Sequence, residues 1–150
     1  MGFFDSEKPR DASGQAVLDD LEETDWAVIR DFGRAMRFQA GENLLFATTP
    51  EVSVYFLTEG EVEVVVTGAF AREKSVALIP APSIFGELSF FDGQPRSASI
   101  RSLTEGGMIW LSRQGFDRLA QYHPQLAIRL LKGFGHVLAQ RFRRVFPEKL

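Results

Sequence analysis

Phe85-Gly86-Glu87-Leu88-Ser89-Phe90-Phe91-Asp92-Gly93-Gln94-Pro95-Arg96-Ser97-Ala98-Ser99 lies among segments of β character, yet its first half does not alternate as a strand would. The run Gly86 to Phe91 predicts one helical turn inserted between two strands. The free N–H groups that open such a turn form a ready anion site. Gly86 has no Cβ to keep an anion away from the backbone. Nine residues after Glu87, Arg96 returns on the next strand, beyond the Asp92-Gly93 turn. A guanidinium offers a planar fork of donors that matches phosphate oxygens and stays charged at any working pH. Glu87 is the opposite kind of group, an acceptor-only carboxylate suited to ribose hydroxyls. A phosphate beside a sugar hydroxyl would satisfy both residues at once. A structural Glu87–Arg96 ion pair would also satisfy both, and the spacing alone leaves the two readings open.

Outward from this stretch, short β-type runs alternate with turn residues. Ser97 to Leu103 and Met108 to Leu111 predict a hairpin across Glu105-Gly106-Gly107, and Ser75 to Ile79 a strand closed by Pro80-Ala81-Pro82. Val54-Tyr55-Phe56-Leu57 runs into Glu59-Gly60, and Val62 to Val66 returns from it, which predicts a second hairpin. Leu44-Leu45-Phe46 follows the Ala40-Gly41-Glu42-Asn43 turn. Strands this short and this evenly punctuated predict an antiparallel β-roll or jelly roll over residues 36–112. Helical patterns flank it, so the fold class is α+β, mainly β.

On the N-terminal side, Met1 to about Gln15 reads as a polar, unordered leader. Residues 16–35 read as helix, with Val17, Leu18 and Leu21 on one face, a break at Glu22-Glu23-Thr24, and Thr24 as the cap of a second piece bearing Val28, Ile29, Phe32 and Ala35. On the C-terminal side, helices are expected over residues 113–146. Ser112 is a good N-cap, Phe116 and Leu119 face inward, and Pro124 suits a first turn. Glycine costs about 1 kcal/mol against alanine inside a helix, so Gly133-Phe134-Gly135 predicts a hinge, with a separate last helix from about Phe134 to Phe146.

Composition narrows the function. The chain has 150 residues, enough for a single domain over 16–150, and no cysteine, which excludes disulfides and thiolate chemistry. No run approaches the roughly 20 apolar residues of a membrane helix, and the start lacks a signal-peptide pattern, so the expected location is cytoplasmic, with no membrane partner. A net charge of −3 argues against nucleic acid as the main partner. His123 and His136 are the only histidines, too few for a metal site on a β-barrel. There is neither a nucleophile elbow nor a Walker-type run, so no enzyme is expected. Arg141, Arg143 and Arg144 form a basic cluster on the last helix. A solvated face or salt bridges to a partner account for it more simply than nucleic acid or an anionic membrane. Trp26 and Trp110 read as core aromatics, and Phe90 and Phe91 as covering the roll rather than stacking on a base.

Phe85-Gly86-Glu87-Leu88 through Pro95-Arg96-Ser97-Ala98 closely resembles the phosphate-binding cassette of the cyclic nucleotide-binding domain family. That family includes catabolite-activator-type regulators, protein kinase A regulatory subunits and cyclic-nucleotide-gated channels. Phe38-Gln39-Ala40-Gly41-Glu42 resembles its first β-turn, and Tyr55 to Val62 its central hairpin, so the likeness spans about Leu18 to Arg144. The resemblance implies that the amides of Gly86, Leu88 and Ser89 line a cyclic phosphate. It further implies that Glu87 holds the ribose 2′-hydroxyl, Arg96 pairs with the phosphate, and Ser97 adds a hydroxyl near phosphate and base. A serine at that place is compatible with cAMP, whereas threonine often accompanies cGMP, so cAMP is the expected ligand ahead of cGMP. No cofactor is implied. The wide apolar arc of Leu130, Phe134, Val137, Leu138, Phe142 and Val145 makes the C-terminal helix the expected output, read by a protein partner or a homodimer. DNA-binding relatives append a helix-turn-helix after this helix and none follows here, so DNA binding is not expected. The rival readings are a ligand-free dimerisation module of the same fold and the detached sensor of a transcription regulator.

Overall fold

The computed structural model describes residues 9–48 and 51–147. Two short helices, α1 (Gln15–Asp19) and α2 (Glu23–Phe32), lead into β1 (Arg34–Phe38), β2 (Asn43–Leu45), β3 (Ser53–Glu59) and β4 (Glu61–Thr67). Then come β5 (Glu73–Pro80), β6 (Ser83–Phe85), the short α3 (Glu87–Asp92), β7 (Ser99–Ser102) and β8 (Gly106–Ser112), before α4 (Arg113–Tyr122) and α5 (Pro124–Val145). The eight strands form two antiparallel four-stranded sheets, ordered β1-β8-β3-β6 and β2-β7-β4-β5. This is the α+β roll expected from the alternation, with α3 inserted between strands where the sequence breaks it.

Both predicted hairpins are corrected by this topology. β3 and β4 are consecutive but lie in different sheets, as do β7 and β8. β4 pairs instead with β5, Val62 opposite Ile79, while β3 pairs with β8 and β6. Gly60, at φ +97°, turns the chain from one sheet to the other, and a Cβ there would lie 2.8 Å from the Glu105 carbonyl. The corner therefore needs glycine for both conformation and space.

β3 is the wall common to two cores. Its residues Ser53 to Leu57 are all buried, and their alternation sends Val54 and Phe56 one way and Tyr55 and Leu57 the other. Val54 and Phe56 pack with Ile109, Leu111 and the helices, through Ile29, Leu119, Leu130 and Phe134. Tyr55 and Leu57 face the roll interior with Phe38, Val62, Phe85 and Ile100.

The helix ends follow local chemistry, with some shifts from expectation. Ser112 caps α4, its Oγ accepting from the Gly115 N–H at 3.0 Å. α2 starts one residue before Thr24, capped by Glu22 in a reciprocal box whose other half is the Glu22 N–H donating to Asp25 at 3.0 Å. The expected hinge is absent: α5 runs unbroken through Gly133-Phe134-Gly135. Gly133 is instead where α1 rests on α5, since a Cβ there would lie 2.2 Å from Val17 Cγ1. Of the expected leader, residues 1–8 lie outside the described residues. Pro9 and Asp11 lie against β5, where Leu78 donates to the Pro9 carbonyl at 3.0 Å and accepts from the Asp11 N–H at 2.7 Å. Among the described residues no helix is long and apolar enough to cross a membrane.

Candidate functional site

β6 delivers the site. Its last residue, Phe85, stacks flat on Tyr55 with ring centroids 5.1 Å apart. Gly86 then turns the chain at φ +82° into α3. The first-turn amides of Glu87, Leu88 and Ser89 precede any i−4 acceptor within that helix. Phe90 anchors the turn from beneath, buried edge-on against Phe116 and Phe134, whereas Phe91 is half exposed.

Arg96 comes back beside Gly86 and is only 5% exposed. Its Nη1 donates to the Gly86 carbonyl at 3.2 Å. Its Nη2 reaches Glu51 Oε1 at 3.1 Å, Ser53 Oγ at 3.1 Å and the Ser53 carbonyl at 3.3 Å. The guanidinium also lies 5.6 Å from the centre of the Tyr55 ring. The Tyr55 hydroxyl donates to Glu51 at 3.0 Å, and burial together with that carboxylate pushes the phenol well above its usual range. Among the described residues Arg96 Nε has no hydrogen-bond partner although it is buried. A Cβ on residue 86 would lie 2.5 Å from Arg96 Nη1, so glycine is required for the arginine to sit here.

Glu87 does not pair with Arg96, and the structural ion pair left open by the sequence is not formed. Its Oε2 accepts from Arg141 Nη1 at 2.5 Å, and Arg141, on α5, also donates to the Ile84 carbonyl at 2.9 Å and to Asp11 Oδ2 at 2.6 Å. Burial disfavours the Arg141 charge, but the Glu87 and Asp11 carboxylates outweigh that and raise its pKa further. Arg144 bonds Ser13 at 2.9 Å. Of the basic cluster expected at a solvated face or in salt bridges to a partner, Arg141 turns inward, while Arg144 stays exposed and bonds Ser13 and Asp11 of the same chain.

Gly86, Glu87, Leu88, Ser89, Arg96 and Ser97 all line one cavity of about 550 Å³. Glu87, Ser89 and Arg96 are buried, while Leu88 and Ser97 are exposed at its rim. Val64, Ile79 and Ile100 supply an apolar wall from the roll, and Asp11, Arg144 and Val145 close the side nearest α5. An apolar hollow of a few hundred Å³ with a few convergent polar groups suits a small organic anion. Asp11, Glu51 and Ser53 escaped the sequence reading, as did the place of Arg141 in the site. Only Arg141 had drawn notice, and nothing local marks a residue whose partner lies 54 positions away. His123 joins α4 to α5. Among the described residues no group of three or more His, Cys, Asp or Glu could hold a metal ion.

The family model for the cyclic nucleotide-binding domain matches residues 35–123. The cAMP-dependent protein kinase regulatory subunit of Emericella nidulans is 35% identical over 69% of this chain and 24% of its own length. A CRP-like cAMP-activated global transcriptional regulator of Mycobacterium tuberculosis is 28% identical over 71% of this chain and 46% of its own. The chain therefore spans less than half the length of these curated relatives. A cyclic nucleotide-binding domain from Methylobacillus flagellatus shares the fold, with a TM-score of 0.76 at 24% identity over 96% of this chain and 88% of that one. With the family match taking in more than half of its residues, cassette and roll together, the chain belongs to the cyclic nucleotide-binding domain family.

Proposed function

We propose that this chain is a non-catalytic receptor that takes cAMP in preference to cGMP in the cavity beneath α3 and reports occupancy through α5. The observation that carries the reading is Arg96. A buried guanidinium ordinarily uses its donors, yet here Nε is unpartnered among the described residues, on a side chain that lines the cavity. An anionic phosphate would supply that acceptor once the side chain turns Nε toward the cavity. Glu87 lies on the same cavity and would accept the ribose hydroxyl, and Ser97 at the rim lacks the extra methyl of threonine. The response is routed through α5 because Arg141, Arg144 and Val145 of that helix share the cavity wall with the cassette. A ligand shifts a conformational equilibrium only by its differential affinity for the two states, so direct contact with the output helix is the economical arrangement. Since α5 is continuous, its displacement would be a rigid-body movement about the junction at His123.

One observation favours the rival, ligand-free module: Glu51, Ser53 and Gly86 already hold the Arg96 guanidinium in place. Isothermal calorimetry of the pure protein with cAMP and with cGMP separates the two. Micromolar binding of cAMP with weaker binding of cGMP is expected. An absence of heat with either nucleotide, at concentrations up to millimolar, would make the domain a scaffold.

A further inference from the structure

The segment ahead of α1 and the C-terminal half of α5 meet at a single site carboxylate. Asp11 is 5% exposed, and its two oxygens have different tasks. Oδ2 accepts from Arg141 Nε at 2.6 Å, while Oδ1 accepts from the Ser13 N–H at 2.9 Å and from Arg144 at 3.3 Å. The backbone around Asp11 is pinned to β5 on both sides through Leu78, and Arg10 pairs with Glu61 on β4. From there Arg141 extends to Glu87 Oε2 and to the Ile84 carbonyl just before the cassette. One guanidinium thus ties together an N-terminal segment, a terminal helix and the carboxylate that faces the cavity.

We infer that Asp11 and Arg141 are positioning residues for Glu87, and that Pro9 to Ser13 form a strap that belongs to the ligand site. The inference rests on the nucleotide reading above for the identity of the ligand, but the strap stands on geometry of its own. A simple ion pair would need only Asp11 and Arg141. Here the guanidinium is shared, and its Nη1 holds Glu87 Oε2 in place while Nε holds Asp11. A carboxylate has about four acceptor positions, so Glu87 can take a ribose hydroxyl while Arg141 stays bound. The order of support therefore runs from strap to Arg141, to Glu87, to the sugar. Preorganisation of this kind lowers the cost of ordering a binding group when the ligand arrives.

The test uses the full chain, with cAMP and 2′-deoxy-cAMP as probes. Wild-type protein should prefer the ribonucleotide. In Asp11→Asn that preference should shrink by about five- to tenfold, because Glu87 is no longer held, while binding of the deoxy analogue changes little. Arg141→Lys, which keeps the charge and loses the fork, should shrink it as well and serves if Asp11→Asn folds poorly. Equal losses for both nucleotides would mean a purely structural role and overturn the inference, as would an unchanged preference. A second measurement needs no nucleotide: hydrogen exchange at the Leu78 amide, which donates to Pro9, should accelerate in Asp11→Asn. Unchanged exchange would overturn the strap. Should wild type bind neither nucleotide, the receptor reading and the positioning role fall together, whereas the exchange result still decides whether the strap exists.

Discussion

At the scale of single residues, Arg96 has two duties that a substitution would expose separately. It lines the cavity, and it also joins Ser53 of β3 to Gly86 of the cassette. Arg96→Ala should therefore weaken nucleotide binding roughly thirty- to several-thousand-fold, the range for truncating one partner of a buried charge pair. It should also lower folding stability by about 1–3 kcal/mol, because Ser53 and Glu51 lose their donor. Titration calorimetry reads the first effect and denaturant unfolding the second; normal binding by the folded variant would remove Arg96 from the site. Asp11 gives a pH signature instead. Burial alone would raise its carboxyl, but the Arg141 charge and the hydrogen bonds from Ser13 and Arg144 more than offset that and hold it at about 2, against 3.8 for an unperturbed aspartate. The folded state then binds fewer protons than the unfolded one through this window. The resulting stabilisation, about 2 kcal/mol at most, is complete above about pH 4 and disappears as the pH falls towards 2. Unfolding midpoints measured across that range should fall more steeply for wild type than for Asp11→Asn, and parallel profiles would contradict the assignment.

At the scale of elements, the two glycines of α5 have opposite surroundings. Gly133 leaves room for Val17 of α1, whereas a Cβ on Gly135 would meet nothing within 4 Å. Gly133→Ala should cost about 1–3 kcal/mol by forcing α1 away, and Gly135→Ala should stabilise the helix by about 1 kcal/mol. Thermal unfolding of the two variants checks this, and a similar shift in both would mean that α1 does not rest on residue 133. The same pair shows where the sequence stopped being informative. Helix propensity is a local property, so two glycines read as a break. What keeps α5 whole is packing against α1 and the helical core, which no window of the sequence contains. The hairpin errors have the same origin, because Glu59-Gly60 marks a turn without specifying whether the next strand joins the same sheet. The cassette from Phe85 to Ser99 was legible because its chemistry is contiguous: helical turn, glycine, carboxylate and guanidinium fall within fifteen residues. Arg141 was not, since its contact with Glu87 exists only after α5 has folded back over the roll.

At the scale of the whole molecule, α5 faces three ways, and its outward face carries the last prediction. Leu130, Phe134 and Val137 point into the helical core, and Arg141 and Val145 reach the cavity. Ile128, Leu131, Gly135, Leu138, Phe142 and Val145 recur at alternating steps of three and four, the spacing of a coiled-coil seam. All are exposed except Leu138, which is half-buried. A stripe of this regularity suits a matching helix, and a second copy of the chain presents one by symmetry. Sedimentation velocity over a range of concentrations should show reversible self-association. The double variant Leu131→Asp with Phe142→Asp should remain monomeric and keep its nucleotide affinity within a few-fold, because neither residue lines the cavity. Val145 belongs to both surfaces, so the two equilibria should be linked. If nucleotide changes the dimer dissociation constant by some factor, the nucleotide affinities of monomer and dimer must together account for that factor. Measuring association with and without saturating cAMP tests the coupling, and an identical dissociation constant in both would separate the seam from the sensor. A wild type that stays monomeric at every concentration would rule out the second copy and leave the stripe to a different protein.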